Sequence, residues 1–97
     1  MNDLEPALTD WISADDHTLS RQTTDGKAVL ILVRSEDRWT AEVRAFTNGG
    51  FELIGAVEQW VTEGPGGLDE HQAKNAAKRY AAKVLSRWYA DRILNNP

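Results

Sequence analysis

The sequence predicts an α+β fold: a short N-terminal helix, a three- to four-stranded antiparallel meander, and one long C-terminal helix packed on one sheet face. Three observations lead there. Residues 38–46 alternate between apolar and polar, Gly-containing turn sequences bound the apolar runs of the middle third, and an Ala-rich stretch at helical spacing runs from Asp69 to about Leu94. All 97 residues fit one domain, large enough for a single core.

Leu4, Leu8, Trp11 and Ile12 fall at i, i+4, i+7 and i+8, one face of a helix over about residues 4–13. Asn2 or Asp3 can cap it, and Pro6 is tolerated in a first turn, where N–H groups have no intrahelical acceptor. Residues 17–23 are polar and read as an edge strand or a loop. They run into Asp25-Gly26, a hairpin dipeptide because the turn needs residues that tolerate positive φ. Six apolar residues, Ala28 to Val33, then predict a central strand buried on both faces.

After the turn Ser35-Glu36-Asp37, Trp39, Ala41, Val43 and Ala45 point one way and Arg38, Thr40, Glu42 and Arg44 the other. Residues 51–62 continue as a long strand beyond Asn48-Gly49-Gly50. Period two puts Phe51, Leu53, Val57 and Val61 on one face, and Glu52, Ile54, Ala56, Glu58 and Trp60 on the other. Gly55 marks a bulge or a close approach by the packed helix.

A flexible breaker, residues 63–67, precedes Asp69, which caps the last helix with Gln72 completing a capping box. Ala73, Ala77, Tyr80, Ala81, Val84 and Trp88 gather on the arc that meets the sheet. Arg79, Lys83 and Arg87 line one flank, and Lys74, Lys78 and Arg92 the other.

Composition narrows the function. There is no cysteine, so disulfides, thiolate metal sites and cysteine nucleophiles are all excluded. No apolar run is long enough to span a bilayer and the N-terminus has no signal-peptide character, so a cytoplasmic protein without membrane contact is expected. The net charge of −4 is uneven: residues 1–68 hold 12 acids against 5 Lys/Arg, or −7, whereas residues 69–97 hold 3 against 6, or +3. An acidic body disfavours nucleic acid as a partner of the whole protein but leaves a local basic stripe open.

The chemistry-bearing residues are sparse. Asp15-Asp16-His17, with His71 elsewhere, is the one cluster of metal-capable side chains, and adjacent residues do not converge easily on one ion. Ser13, Ser20, Ser35 and Ser86 sit in no nucleophile elbow, and Glu36-Asp37 lies in a solvated turn. The reading is therefore not an enzyme, with no cofactor and no metal. A phosphate-loop reading of Gly64-Pro65-Gly66-Gly67 fails because proline lacks an N–H and Asp69 and Glu70 repel phosphate.

The segment from Glu70 to Leu85 resembles the last helix of double-stranded RNA-binding domains, whose usual opening is Lys-Lys-x-Ala-Lys followed by paired alanines. The resemblance covers about residues 64–85, and the α-β-β-β-α order of that family matches the order read here. It implies phosphate contacts from the leading lysines, but those positions hold Glu70 and His71, and Lys74 alone is retained. The turn Ser35-Glu36-Asp37 is acidic and lacks the family's groove-entering histidine, so the resemblance implies protein contacts instead.

Two functions follow. The first is a non-enzymatic protein-interaction module, a small acidic adaptor, inhibitor or accessory factor, binding a protein partner or a second copy of itself as a homodimer. Its contacts come from Ile54, Trp60, Trp88, Tyr89 and Ile93. A helix of 26 residues spans about 39 Å while a seven-residue strand covers about 23 Å, so Trp88 to Leu94 form an apolar overhang. The alternative is a nucleic-acid-binding domain using Lys74, Lys78, Arg79, Lys83 and Arg87.

Overall fold

A computed structural model describes residues 6–62 and 65–95, with side chains up to Arg92. The alternating stretch is strand β4 (Arg38–Thr47), flanked by β3 (Ala28–Ser35) and β5 (Gly50–Trp60). Ahead of them lie β1 (Ile12–Asp15) and β2 (Thr18–Gln22), and behind them the helix α1 (Glu70–Asn95). The five strands form one antiparallel sheet in sequence order, β1-β2-β3-β4-β5.

Residues 6–13 form no helix, against the sequence expectation; residues 4 and 5, the expected helix start, lie outside the described residues. Leu8 pairs with Thr23 in an isolated bridge, Thr9 N–H donates to the Gln22 carbonyl at 2.8 Å, and Ile12 opposes Ser20. The segment is rich in Thr, Trp, Ile and Asp, weak helix formers that sheet pairing outcompetes. Leu8 and Trp11 still pack on the core, but Ile12, adjacent to Trp11, points away from it. The polar 17–23 stretch supplies β2, an inner strand paired on both sides, and β1 takes the edge. The expected order, α-β-β-β-α with residues 17–23 as an optional further strand, is therefore β-β-β-β-β-α among the described residues.

The hairpin at Asp25-Gly26 forms as expected, with Gly26 at φ 75. The buried Thr23 hydroxyl organises it, accepting from Lys27 N–H and Ala28 N–H at 3.1 Å each and donating to Asp25 Oδ1 at 2.6 Å. The capping box forms too: Asp69 Oδ1 accepts Gln72 N–H at 2.8 Å and Gln72 Oε1 accepts Asp69 N–H at 3.0 Å.

The core lies between one sheet face and the helix. Ala28, Leu30 and Leu32 of β3 and Trp39, Ala41, Val43 and Ala45 of β4 meet Ala73, Ala77, Ala81 and Leu85 of α1. Small helix residues bring the backbones close. A Cβ on Gly55 would stand 2.6 Å from Val84 Cγ1, so this glycine is the close approach that its position suggested. Tyr80, placed on the packing arc by sequence, is exposed on the flank instead.

The sheet covers most of the helix. The strands β4 and β5 are 10 and 11 residues long, which at strand rise is about 33–36 Å, close to the helix's own length. Of the expected overhang from Trp88 to Leu94, the side chains of Ile93 and Leu94 lie outside those described. Trp88 and Tyr89 are both half-buried and packed against the core.

Candidate interaction surface

Backbone alternation sends the remaining side chains of the strands to the face away from α1, which no described element covers. Register aligns Ile12, Ser20, Ile31, Glu42 and Ala56 in one row across all five strands. Beside it run Gln22, Val29, Arg44 and Leu53, and on the other side Thr18, Val33, Thr40 and Glu58. Arg38 opposes Trp60 at one end of β4, and Phe46 opposes Phe51 at the other. Val29, Ile31 and Val33 are half-buried here, so the central strand is fully covered on one face alone.

A register shift between Val43 and Arg44 sets which β5 residues reach this face. It is a β-bulge opposite residues 53–55, and it reverses the in–out phase of β5. Phe51 and Leu53, which strict alternation put with Val57 and Val61, share the uncovered face with Ala56, Glu58 and Trp60. Ile54, which alternation put with Trp60, turns to the helix side and packs on the core with Val57 and Val61.

The face is apolar where it is most exposed. Ile12 (65%), Phe46 (56%), Leu53 (48%), Trp60 (47%) and Phe51 (43%) are five of the six most exposed large apolar side chains among the described residues, and all five lie on it. The Phe46 and Phe51 rings are 4.8 Å apart, and the Arg38 guanidinium lies 4.3 Å from the centre of the Trp60 ring. Charges on the face pair with one another: Arg38 Nη1 to Glu58 Oε2 at 2.8 Å and Arg44 Nε to Glu42 Oε1 at 3.0 Å. The strand residues of the face thus contribute two cations and two anions, and Asp37, in the turn at its end, also meets Arg38 at 3.2 Å.

The other residues singled out by sequence scatter. Trp88 stands edge-on to Tyr89 at 5.3 Å, with the Arg92 guanidinium 4.9 Å from its ring. Tyr89 donates its hydroxyl to Asp25. The Ile93 side chain lies outside those described. Lys74 and Lys78 face Trp39 and Trp11 on the β1–β2 side, whereas Arg79, Lys83 and Arg87 are exposed on the flank that also holds Tyr80, so the five cations form no single stripe.

A shallow cleft near the helix start is lined by Asp16, His17, Arg34, Glu36, Trp39 and Glu70. Its chemistry is spoken for. Glu70 Oε2 accepts the Trp39 indole N–H at 2.6 Å, and Arg34 Nε donates to both Glu70 oxygens at 3.0 and 2.9 Å. The Arg34 hydrogen bond, more than burial opposes, holds the Glu70 carboxyl below its usual pKa. Glu70 therefore anchors the helix to β3 and β4. His71 pairs with Asn75 at 3.1 Å, and no group of three metal-capable side chains occurs among the described residues. No helix among them is long and apolar enough to cross a membrane.

Comparison with protein-family models, with curated proteins and with solved structures finds no match to this chain.

Proposed function

We propose that the chain is a non-enzymatic protein-interaction module, a small acidic adaptor, inhibitor or accessory factor, that works as a homodimer joined through the uncovered sheet face. The observation behind this reading is that five large exposed apolar side chains share that face. Water-exposed apolar area of that kind is stabilised when another surface removes it from solvent.

Charge favours a second copy as the occupant. Two chains of net charge −4 repel, and their approach is least costly where surface charges are paired, as in Arg38–Glu58 and Arg44–Glu42. Geometry agrees, because Trp60 and the Phe46–Phe51 pair sit at opposite ends of β4 and β5. A two-fold axis that reverses strand direction sets the Trp60 end of one copy against the phenylalanine end of the other. The 38 strand residues, each covering about 3.3 by 4.8 Å of sheet, give roughly 600 Å² per copy, the lower end of what specific interfaces bury. Sedimentation velocity over a concentration series tests the reading, with Leu53→Lys expected to shift the population toward monomer.

A further inference from the structure

On the helix side of β2, the Trp11 ring carries two cations: the Arg21 guanidinium at 5.2 Å from its centroid and the Lys78 ammonium at 5.0 Å. One turn before Lys78, the Lys74 ammonium lies 5.4 Å from the centre of the Trp39 ring. Arg21 Nε donates to the Thr9 carbonyl at 2.8 Å, which fixes the guanidinium and leaves its two terminal nitrogens for another acceptor. Among the described residues none of the three cations forms an ion pair. The nearest acid along the helix, Glu70, is already held by Arg34 and Trp39.

Three like charges are thus gathered in an acidic protein, and the Glu70 carboxylate that couples to Lys74 is already engaged by Arg34 and Trp39. Burial lowers the Lys78 pKa, and the charges of Lys74 and Arg21 lower it further. An anion seated there offsets the mutual repulsion of the three cations.

We infer that the cationic surface around Trp11 binds the phosphate backbone of a single-stranded nucleic acid through Arg21, Lys74 and Lys78. The fork of Arg21 matches phosphate oxygens in pairs, and the two lysines supply point charges one helical turn apart. Cations beside a partly exposed indole, here Trp11, are a combination that single-strand binders use, whereas Trp39 is buried in the core. A duplex fits poorly: Arg79, Lys83 and Arg87, also exposed, are on the opposite flank of α1, and the −7 of residues 1–68 repels a wide polyanion. These cations lie on the helix side of the sheet, so this site is independent of the proposed dimer face.

Fluorescence anisotropy with a labelled oligothymidylate at low salt tests it. The wild-type protein is expected to bind with a log–log salt slope of about −2, from three phosphates at about 0.7 each. Arg21→Gln and Lys78→Met should each weaken binding fivefold or more. The methionine keeps the aliphatic stem on Trp11, and an unchanged near-ultraviolet circular dichroism spectrum verifies the fold. Lys83→Gln and Arg87→Gln remove the same charge from the other flank and should change affinity less than twofold. Absence of binding at low salt, equal losses from both flanks, or tighter binding to duplex DNA or polyglutamate than to the single strand would each overturn the inference.

Discussion

The Tyr89 hydroxyl donates to Asp25 Oδ2 at 2.7 Å, tying the last turns of α1 to the β2–β3 hairpin. Asp25 also accepts from Thr23 and from Lys27 N–H. These bonds, the Thr23 one foremost and the Tyr89 one next, lower its pKa to about 2. A carboxyl whose folded pKa lies below its unfolded value adds stability above the unfolded pKa, and that stability is lost as pH falls through the folded one. Unfolding free energy should therefore decline as pH falls from about 4 toward 2, and Asp25→Asn should flatten that slope. Urea titrations across this range, with and without the substitution, measure both.

Thr23 is the buried centre of the same hairpin. Thr23→Val keeps its shape but leaves the Ala28 N–H, buried beside it, without the hydroxyl acceptor. The expected loss is about 1–3 kcal/mol, the cost of an unsatisfied buried polar group. Denaturant midpoints at neutral pH report it, and a loss within error would mean that the hydroxyl is dispensable.

Gly55 and Val84 set the distance between helix and sheet. A Cβ at Gly55 would meet the stiff, β-branched Val84 side chain at 2.6 Å, so Gly55→Ala should destabilise by about 1–3 kcal/mol. Val84→Ala frees the space. In a double-mutant cycle, the Gly55→Ala penalty should shrink in the Val84→Ala background, with a coupling of about 0.5–3 kcal/mol.

Much of this fold is legible in the sequence. The alternation of residues 38–46, the Asp25-Gly26 turn and the Asp69–Gln72 capping box are local signals, and all three form where expected. What sequence missed depends on non-local pairing. The spacing of Leu8, Trp11 and Ile12 fits a helix, yet hydrogen bonds from Thr9 to Gln22, 13 residues on, draw the segment into the sheet. The bulge beside Gly55 inverted the phase of β5, sending Ile54 to the core side and leaving Phe51 and Leu53 uncovered. Phe46 was readable, because it continues the even-numbered face of β4. Ile12 was hidden behind the expected helix.

Joining of two copies through the uncovered sheet face, as proposed, is read out by sedimentation velocity over a concentration series. The wild-type protein is expected to shift from monomer to dimer as concentration rises. Leu53→Lys, in the middle of the face, should raise the dissociation constant tenfold or more, whereas Tyr80→Lys, off the face, should leave it unchanged. A strict monomer at the highest concentrations, or a dimer indifferent to Leu53→Lys, would contradict it.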